Sequence, residues 1–124
     1  MVDTIDLAVP ADPIYVGLIR SAAAHIAAHA DLTLDAIDDL RLAVDEAFAV
    51  LIAHNPESGT VSVRFHIHAD HLAVEMTGPS GGPEPDRSSF AWTVLTALVH
   101  EVTTEVLPGK LVKLTLTAKA VASA

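Results

Sequence analysis

The residues best equipped for chemistry lie between Thr33 and His54, in the stretch TLDAIDDLRLAVDEAFAVLIAH. Asp45 and Glu46 are adjacent there, and His54 follows two helical turns later. A carboxylate held on a helix can act as a general base toward a hydroxyl or a water. The histidines form a second group. His25 and His29 stand four apart, and His66 and His68 share a strand face with His71 just beyond a turn. Such pairs suit Zn2+, but a closed site takes about four converging ligands. No further motif completes one, so no metal site is expected and the histidines read as surface residues. A response of the hairpin histidines to pH is the remaining hypothesis for them. The run Gly78-Pro79-Ser80-Gly81-Gly82 offers glycines, yet its prolines remove donors and neither standard phosphate-loop spacing is present. Ser88 and Ser89, beside Arg87, are open to phosphorylation, although helix capping explains at least one of them more simply.

The carboxylate stretch needs a helix to position it, and the pattern supplies one. Leu34, Ile37, Leu40, Val44, Ala47, Phe48 and Leu51 recur at helical spacing, with Thr33 as N-cap and Asp35, Asp38 and Asp39 near the positive end of the dipole. Before it, residues 4–9 alternate as a strand that Pro10 ends. Asp12 and Pro13 then open a helix in which Ile14, Leu18, Ala22 and Ile26 line one face, running to about Ala30. After a turn cluster from Asn55 to Gly59, Val61, Val63, Phe65 and Ile67 alternate with polar residues, as do Leu72, Val74 and Met76, so the pair reads as a hairpin. Residues 77–87 form the one long loop. A third helix follows, with Phe90, Val94, Ala97, Leu98 and Val102 on one face. Thr104 to Leu107 and Leu111 to Ala118 make a second hairpin about Pro108-Gly109, and the tail from Val121 frays. The order β-α-α-β-β-α-β-β predicts an α+β two-layer sandwich in a single domain over 1–124: a mixed, mostly antiparallel sheet covered on one face by three helices.

Composition narrows the function. Of 124 residues, 51% are hydrophobic and only 4% aromatic, so the core is aliphatic. No apolar run is long enough to span a bilayer, and the acidic start lacks the basic region of a signal peptide. With zero cysteines, the expectation is a cytoplasmic chain without disulfides. Seven basic against 16 acidic residues give a formal charge of −9. A phosphate backbone would be repelled, which argues against direct nucleic-acid binding, whereas a basic protein partner would be attracted.

The phrase Leu40-Arg41-Leu42-Ala43-Val44-Asp45-Glu46-Ala47, followed by Ile52-Ala53-His54, resembles the N-box helix of the GHKL (Bergerat) ATPase fold. The two-helix start, the hairpin, the loop before the last helix and the phrase Ala97-Leu98-Val99-His100-Glu101-Val102 extend the likeness over nearly the whole chain. Within that fold the chain resembles the anti-sigma factor serine kinases of the RsbW and SpoIIAB type. The run from Ser89 to Leu98 and the ending Leu114-Thr115-Leu116-Thr117-Ala118 look like the divergent actinobacterial members.

The resemblance implies a protein that sequesters an alternative sigma factor, is released by a STAS-domain anti-anti-sigma factor, and forms a homodimer. Arg20 matches an arginine that contacts partners, and the binding surface is expected near the first helix and the loop before the last one. Trp92, beside that loop, is expected in the core rather than as an anchor. Glu46 takes the family's general-base position. Nucleotide binding in the family also uses an asparagine that holds Mg2+, an aspartate that receives the adenine amino group, and a second glycine box at the last helix. Here Val50 replaces the asparagine, no aspartate falls in place with Thr77 as a weak substitute, and Ser88-Ser89-Phe90-Ala91-Trp92 has no glycine. The expectation is therefore an anti-sigma factor with a vestigial base in Glu46 and no cofactor. The alternative is an active serine kinase that uses ATP and Mg2+ to phosphorylate the STAS protein.

Overall fold

Alternation of apolar and polar residues builds the sheet. A computed structural model describes residues 3–53, 59–79 and 86–120, and places five strands in one sheet. These are β1 (Asp3–Pro10), β2 (Thr60–Ile67), β3 (His71–Pro79), β4 (Glu101–Leu107) and β5 (Leu111–Lys119), in the spatial order β1-β2-β3-β5-β4. His54, most of the expected turn at 55–59, loop residues 80–85 and the tail at 121–124 lie outside the described residues.

The expected α+β sandwich is the fold, but the sheet is not mixed, because all four ladders are antiparallel. β3 and β4 do run in the same direction, as the crossover through a helix requires. They are not neighbours, however. β5 occupies the place between them and pairs antiparallel with both.

Since side chains alternate along each strand, the register sorts the sheet into two faces. Leu7, Val63, Met76, Leu114 and Thr104 form one row across all five strands, and Phe65, Val74, Leu116 and Val102 form part of another. Both rows lie under the helices, with Phe65, Val74, Met76, Leu114 and Leu116 wholly buried. The intervening rows, including Asp6, Arg64, Glu75 and Thr115, stand on the uncovered face.

The helices are α1 (Val16–His29), α2 (Leu34–Ile52) and α3 (Phe90–Leu98). Asp12 caps a single 3-10 turn, Pro13–Tyr15, that leads into α1. α1 ends at Ala30, and Asp31 takes a left-handed φ of 62°, which an aspartate tolerates better than most residues. The chain thereby reverses into α2, whose Thr33 side chain accepts from the Ala36 N–H at 3.1 Å. α2 lies on β3 and β5 and is flanked by α1 and α3. Its buried stripe is Leu40, Ala43, Val44, Ala47, Phe48, Leu51 and Ile52, close to the periodicity expected from sequence.

Three expectations are corrected. In α1 the buried stripe is Ile19, Ala23, Ile26 and Ala27, whereas Ile14 and Leu18 are 77% and 58% exposed. An alanine-rich helix offers two nearly equal apolar stripes, and contact with α2 selects one. In α3, Phe90 opens the helix and is 82% exposed, while Leu95 is buried with Trp92 and Leu98 packed beside it. Finally, Val102 belongs to β4 and not to α3. Val99 is already extended at φ −129°, ψ 166°, and the β-branched run Val102-Thr103-Thr104 favours the pleated strand, which begins at Glu101.

One buried polar atom is left over. Thr104 lies on the helix-covered row opposite Leu114, and its Oγ1 is buried without a hydrogen-bond partner among the described residues. Its hydroxyl loses water on folding and gains nothing in return. Thr104→Val keeps the shape and removes that cost, so it should raise the unfolding free energy by about 1 kcal/mol, read as a higher urea midpoint at unchanged m-value.

Candidate functional site

α2 carries the candidate residues along one edge. Its buried stripe fixes the rotation of the helix, and that rotation leaves Asp45, Glu46 and Val50 at the boundary between core and solvent. Glu46 is half-buried and has no hydrogen-bond or ion-pair partner among the described residues. Asp45 is engaged. Its two carboxylate oxygens both accept from Arg20 Nη1 at 3.0 Å. The bond ties α1 to α2, and each side chain remains a little over one third exposed.

Sequence reasoning named Arg20 as a partner contact and did not anticipate its bond to Asp45. The available signal was geometric: two antiparallel helices joined by a short turn place residues 20 and 45 at the same level of the hairpin. Only Nη1 of Arg20 is used by Asp45, so the guanidinium keeps further donors for another acceptor. Arginine presents five donors in all.

A fitting Mg·ATP site would need hard oxygen ligands one turn after Glu46. Val50 stands there, half-buried, with its side chain packed against the core. The end of β3 is likewise closed from the helix side, because a Cβ added to Gly78 would come within 3.3 Å of Leu51 Cβ. Thr77 is not brought near Glu46. It pairs in register with Ser62 and Lys113, and its neighbours Met76 and Gly78 are the residues turned toward the helices. By strand alternation Thr77 points to the uncovered face, where it lines a shallow depression with Asp6, Arg64, Glu75 and Lys113. Glu46 and Thr77 are thus on opposite sides of the sheet. At Val50 and Thr77 the structure offers an aliphatic side chain packed on the core and a hydroxyl turned away from the helices.

The start of α3 is held by side-chain caps. Ser89 is the N-cap, its Oγ accepting from the Trp92 N–H at 3.2 Å. Ser88 is held in the preceding turn, donating both its N–H and its hydroxyl to Asp86 Oδ1, and these bonds hold the Asp86 carboxyl below its ordinary range. Arg87 lies over the Trp92 ring at 5.5 Å, a cation–π contact. Trp92 itself is half-buried against the core.

No group of three or more His, Cys, Asp or Glu suited to a metal occurs among the described residues. His66 and Lys113 instead converge on Glu75, with His66 Nε2 at 2.6 Å and Lys113 Nζ at 3.3 Å. The hydrogen bond with His66, followed by that from Lys113, holds the Glu75 carboxyl below its usual range, against the opposing effect of burial. Glu75 in turn is the main reason that Lys113 is raised.

A carboxyl depressed in the folded state contributes stability that is complete above its unfolded value and is lost as pH falls through the folded one. Glu75→Gln should therefore lower stability by about 1 kcal/mol near pH 6. The gap to the parent should close as pH falls below about 4, as measured by urea unfolding across that range.

With this geometry in view, comparison with known proteins gives a consistent result. The model of the family described as "histidine kinase-like ATPase domain" matches residues 9–115. A serine-protein kinase RsbW from Bacillus velezensis is 45% identical over 76 residues, covering 59% of this chain and 48% of that protein. The RsbW of Bacillus subtilis is 40% identical over 75 residues, covering 58% and 47%. That of Listeria innocua is 39% identical over 80 residues, covering 62% and 51%. The chain thus spans about half the length of the curated relatives it matches. Among solved structures, the RsbU and RsbW domains of Rv1364c from Mycobacterium tuberculosis superpose with a TM-score of 0.70 at 15% identity. That match covers 94% of this chain and 32% of that one, a likeness of fold.

Proposed function

The chain belongs to the family of histidine kinase-like ATPase domains, and from that premise we propose that it is a cytoplasmic, homodimeric anti-sigma factor of the RsbW type that acts by binding alone. In this reading it sequesters an alternative sigma factor, a STAS-domain anti-anti-sigma factor releases it, and no phosphoryl transfer takes place. The observation that carries the non-catalytic part is Val50, an aliphatic side chain packed against the core at the position where Mg2+ would need an oxygen. A general base such as Glu46 has no reaction to serve without a positioned phosphate donor.

The binding part draws on charge and on Arg20. A chain of formal charge −9 attracts a basic partner and speeds its encounter. Arg20 is held in place by Asp45 yet retains unused donors on an exposed helix face, the arrangement from which arginine contributes strongly to an interface. Exposed Leu18 on the same helix and Ile14 in the 3-10 turn before it offer apolar contact beside the charge. The alternative, an active kinase acting on the STAS protein, has the retained Glu46 and the names of the matched relatives in its favour.

Two measurements separate these readings. Affinity capture with the tagged chain should return a sigma factor, and Arg20→Glu should weaken that complex by about tenfold or more. A STAS protein alone in the eluate would overturn the sequestration reading. Titration calorimetry with ATP and Mg2+ should give no binding heat in the micromolar range. Micromolar affinity that disappears in Glu46→Ala would establish the kinase instead.

A further inference from the structure

At the end of the β2–β3 hairpin three imidazole rings stand in a row. His68 stacks on His71 with centroids 4.2 Å apart and planes 13° from parallel. His68 also lies 6.4 Å from His66, with planes 27° from parallel. The turn that holds them is closed by the His68 N–H, which donates to the His71 carbonyl at 2.9 Å.

The two outer rings each have a carboxylate. His66 Nε2 lies 2.6 Å from Glu75 Oε1, and His71 Nδ1 lies 2.7 Å from Asp70 Oδ1. The middle ring, His68, has no hydrogen-bond partner among the described residues. Other charged groups surround the row. On β5, Lys113 shares Glu75, and Lys119 pairs in register with His71. On β2, Arg64 is bound to Asp6 of β1. His100 and Glu101, at the start of β4, border the same surface hollow as Asp70, His71 and Lys119. Two carboxylates are therefore hydrogen-bonded to the two outer rings. Asp70 acts on His68 only through space, and no carboxylate is hydrogen-bonded to His68 among the described residues.

We propose that this row is a proton-operated catch on the hairpin. While the middle ring is neutral, the stack holds the turn closed. When all three rings carry protons, His68 and His71 repel across the stack and the turn loosens. The loosening reaches the end of β5, because the Ala120 N–H donates to the Asp70 carbonyl at 3.0 Å. Imidazole is the side chain whose ordinary titration range makes such a change accessible between about pH 5 and 8, and like charges at this separation repel even at the dielectric of water. The catch stands independently of the anti-sigma reading.

Hydrogen exchange on the full chain tests it. After correction for intrinsic exchange, the His68 and Ala120 amides should lose protection by about fivefold or more between about pH 7.5 and about pH 5, with amides in α2 unchanged. His68→Gln removes the middle charge and should flatten that profile. Unchanged protection in the parent, or an equal loss in His68→Gln, overturns the proposal. Should the variant disturb the hairpin already at neutral pH, the imidazole nitrogen shifts and ring-to-ring NOEs of the parent decide. Three doubly protonated rings that have lost the His68–His71 NOE support the catch, and an intact NOE at about pH 5 overturns it.

Discussion

The structure depends on one act of burial, the apolar stripe of α2 laid across the middle strands β3 and β5. Leu40, Val44, Phe48 and Leu51 from the helix meet Val74, Met76, Leu114 and Leu116 from the sheet. Burying side chains of this size contributes about 1.5–3 kcal/mol each, so neither the rotation of the helix nor the register of the strands can slip. A one-residue slip of β3 would turn Leu72, Val74 and Met76 to water and bring Glu75 and Thr77 inside. α1 and α3 then lean on α2 from either side, and the sheet needs no cover on its second face.

That constraint decides what the candidate residues can do. With α2 fixed in rotation, Val50 is drawn toward the core while Glu46 stays at the margin. With β3 fixed in register, Thr77 is committed to the uncovered face. The Glu46 carboxylate and the Thr77 hydroxyl, both named from the family pattern, are therefore on opposite sides of the sheet. The same fixed geometry brings together groups far apart in sequence. Arg20 reaches Asp45 because two antiparallel helices stay in contact along their length, and Glu75 gathers His66 and Lys113 because it stands on the central strand between them.

The uncovered face shows how a sheet carrying many charges stays paired. Asp6 faces Arg64, and Glu75 and Glu105 share Lys113, so opposite charges sit on adjacent strands where cross-strand pairs interact most strongly. Arg64 holds the Asp6 carboxyl low, and Asp6 raises Arg64 in return. Both groups are solvent-exposed, so the pair orders the edge of the sheet more than it stabilises the fold.

Much of this was legible without coordinates, and the division has a physical basis. Period-two alternation in residues 61–76, the long helical period of 34–51, the caps at Asp12, Thr33 and one of Ser88 or Ser89, and the turn at Pro108-Gly109 are local properties, expressed by short pieces of chain. From them follow the α+β class, the element order and the aliphatic core. What the sequence could not determine is whatever depends on which surfaces meet. Ile14 or Ile19, Phe90 or Leu95: each pair is equally apolar, and only the neighbouring helix selects the buried member. The placing of β5 between β3 and β4, the side of the sheet on which Thr77 lies, the partner of Arg20 and the row of three histidines arise from contacts between distant segments. Such contacts exist only once the whole core has closed, and for that reason they belong to the tertiary structure alone.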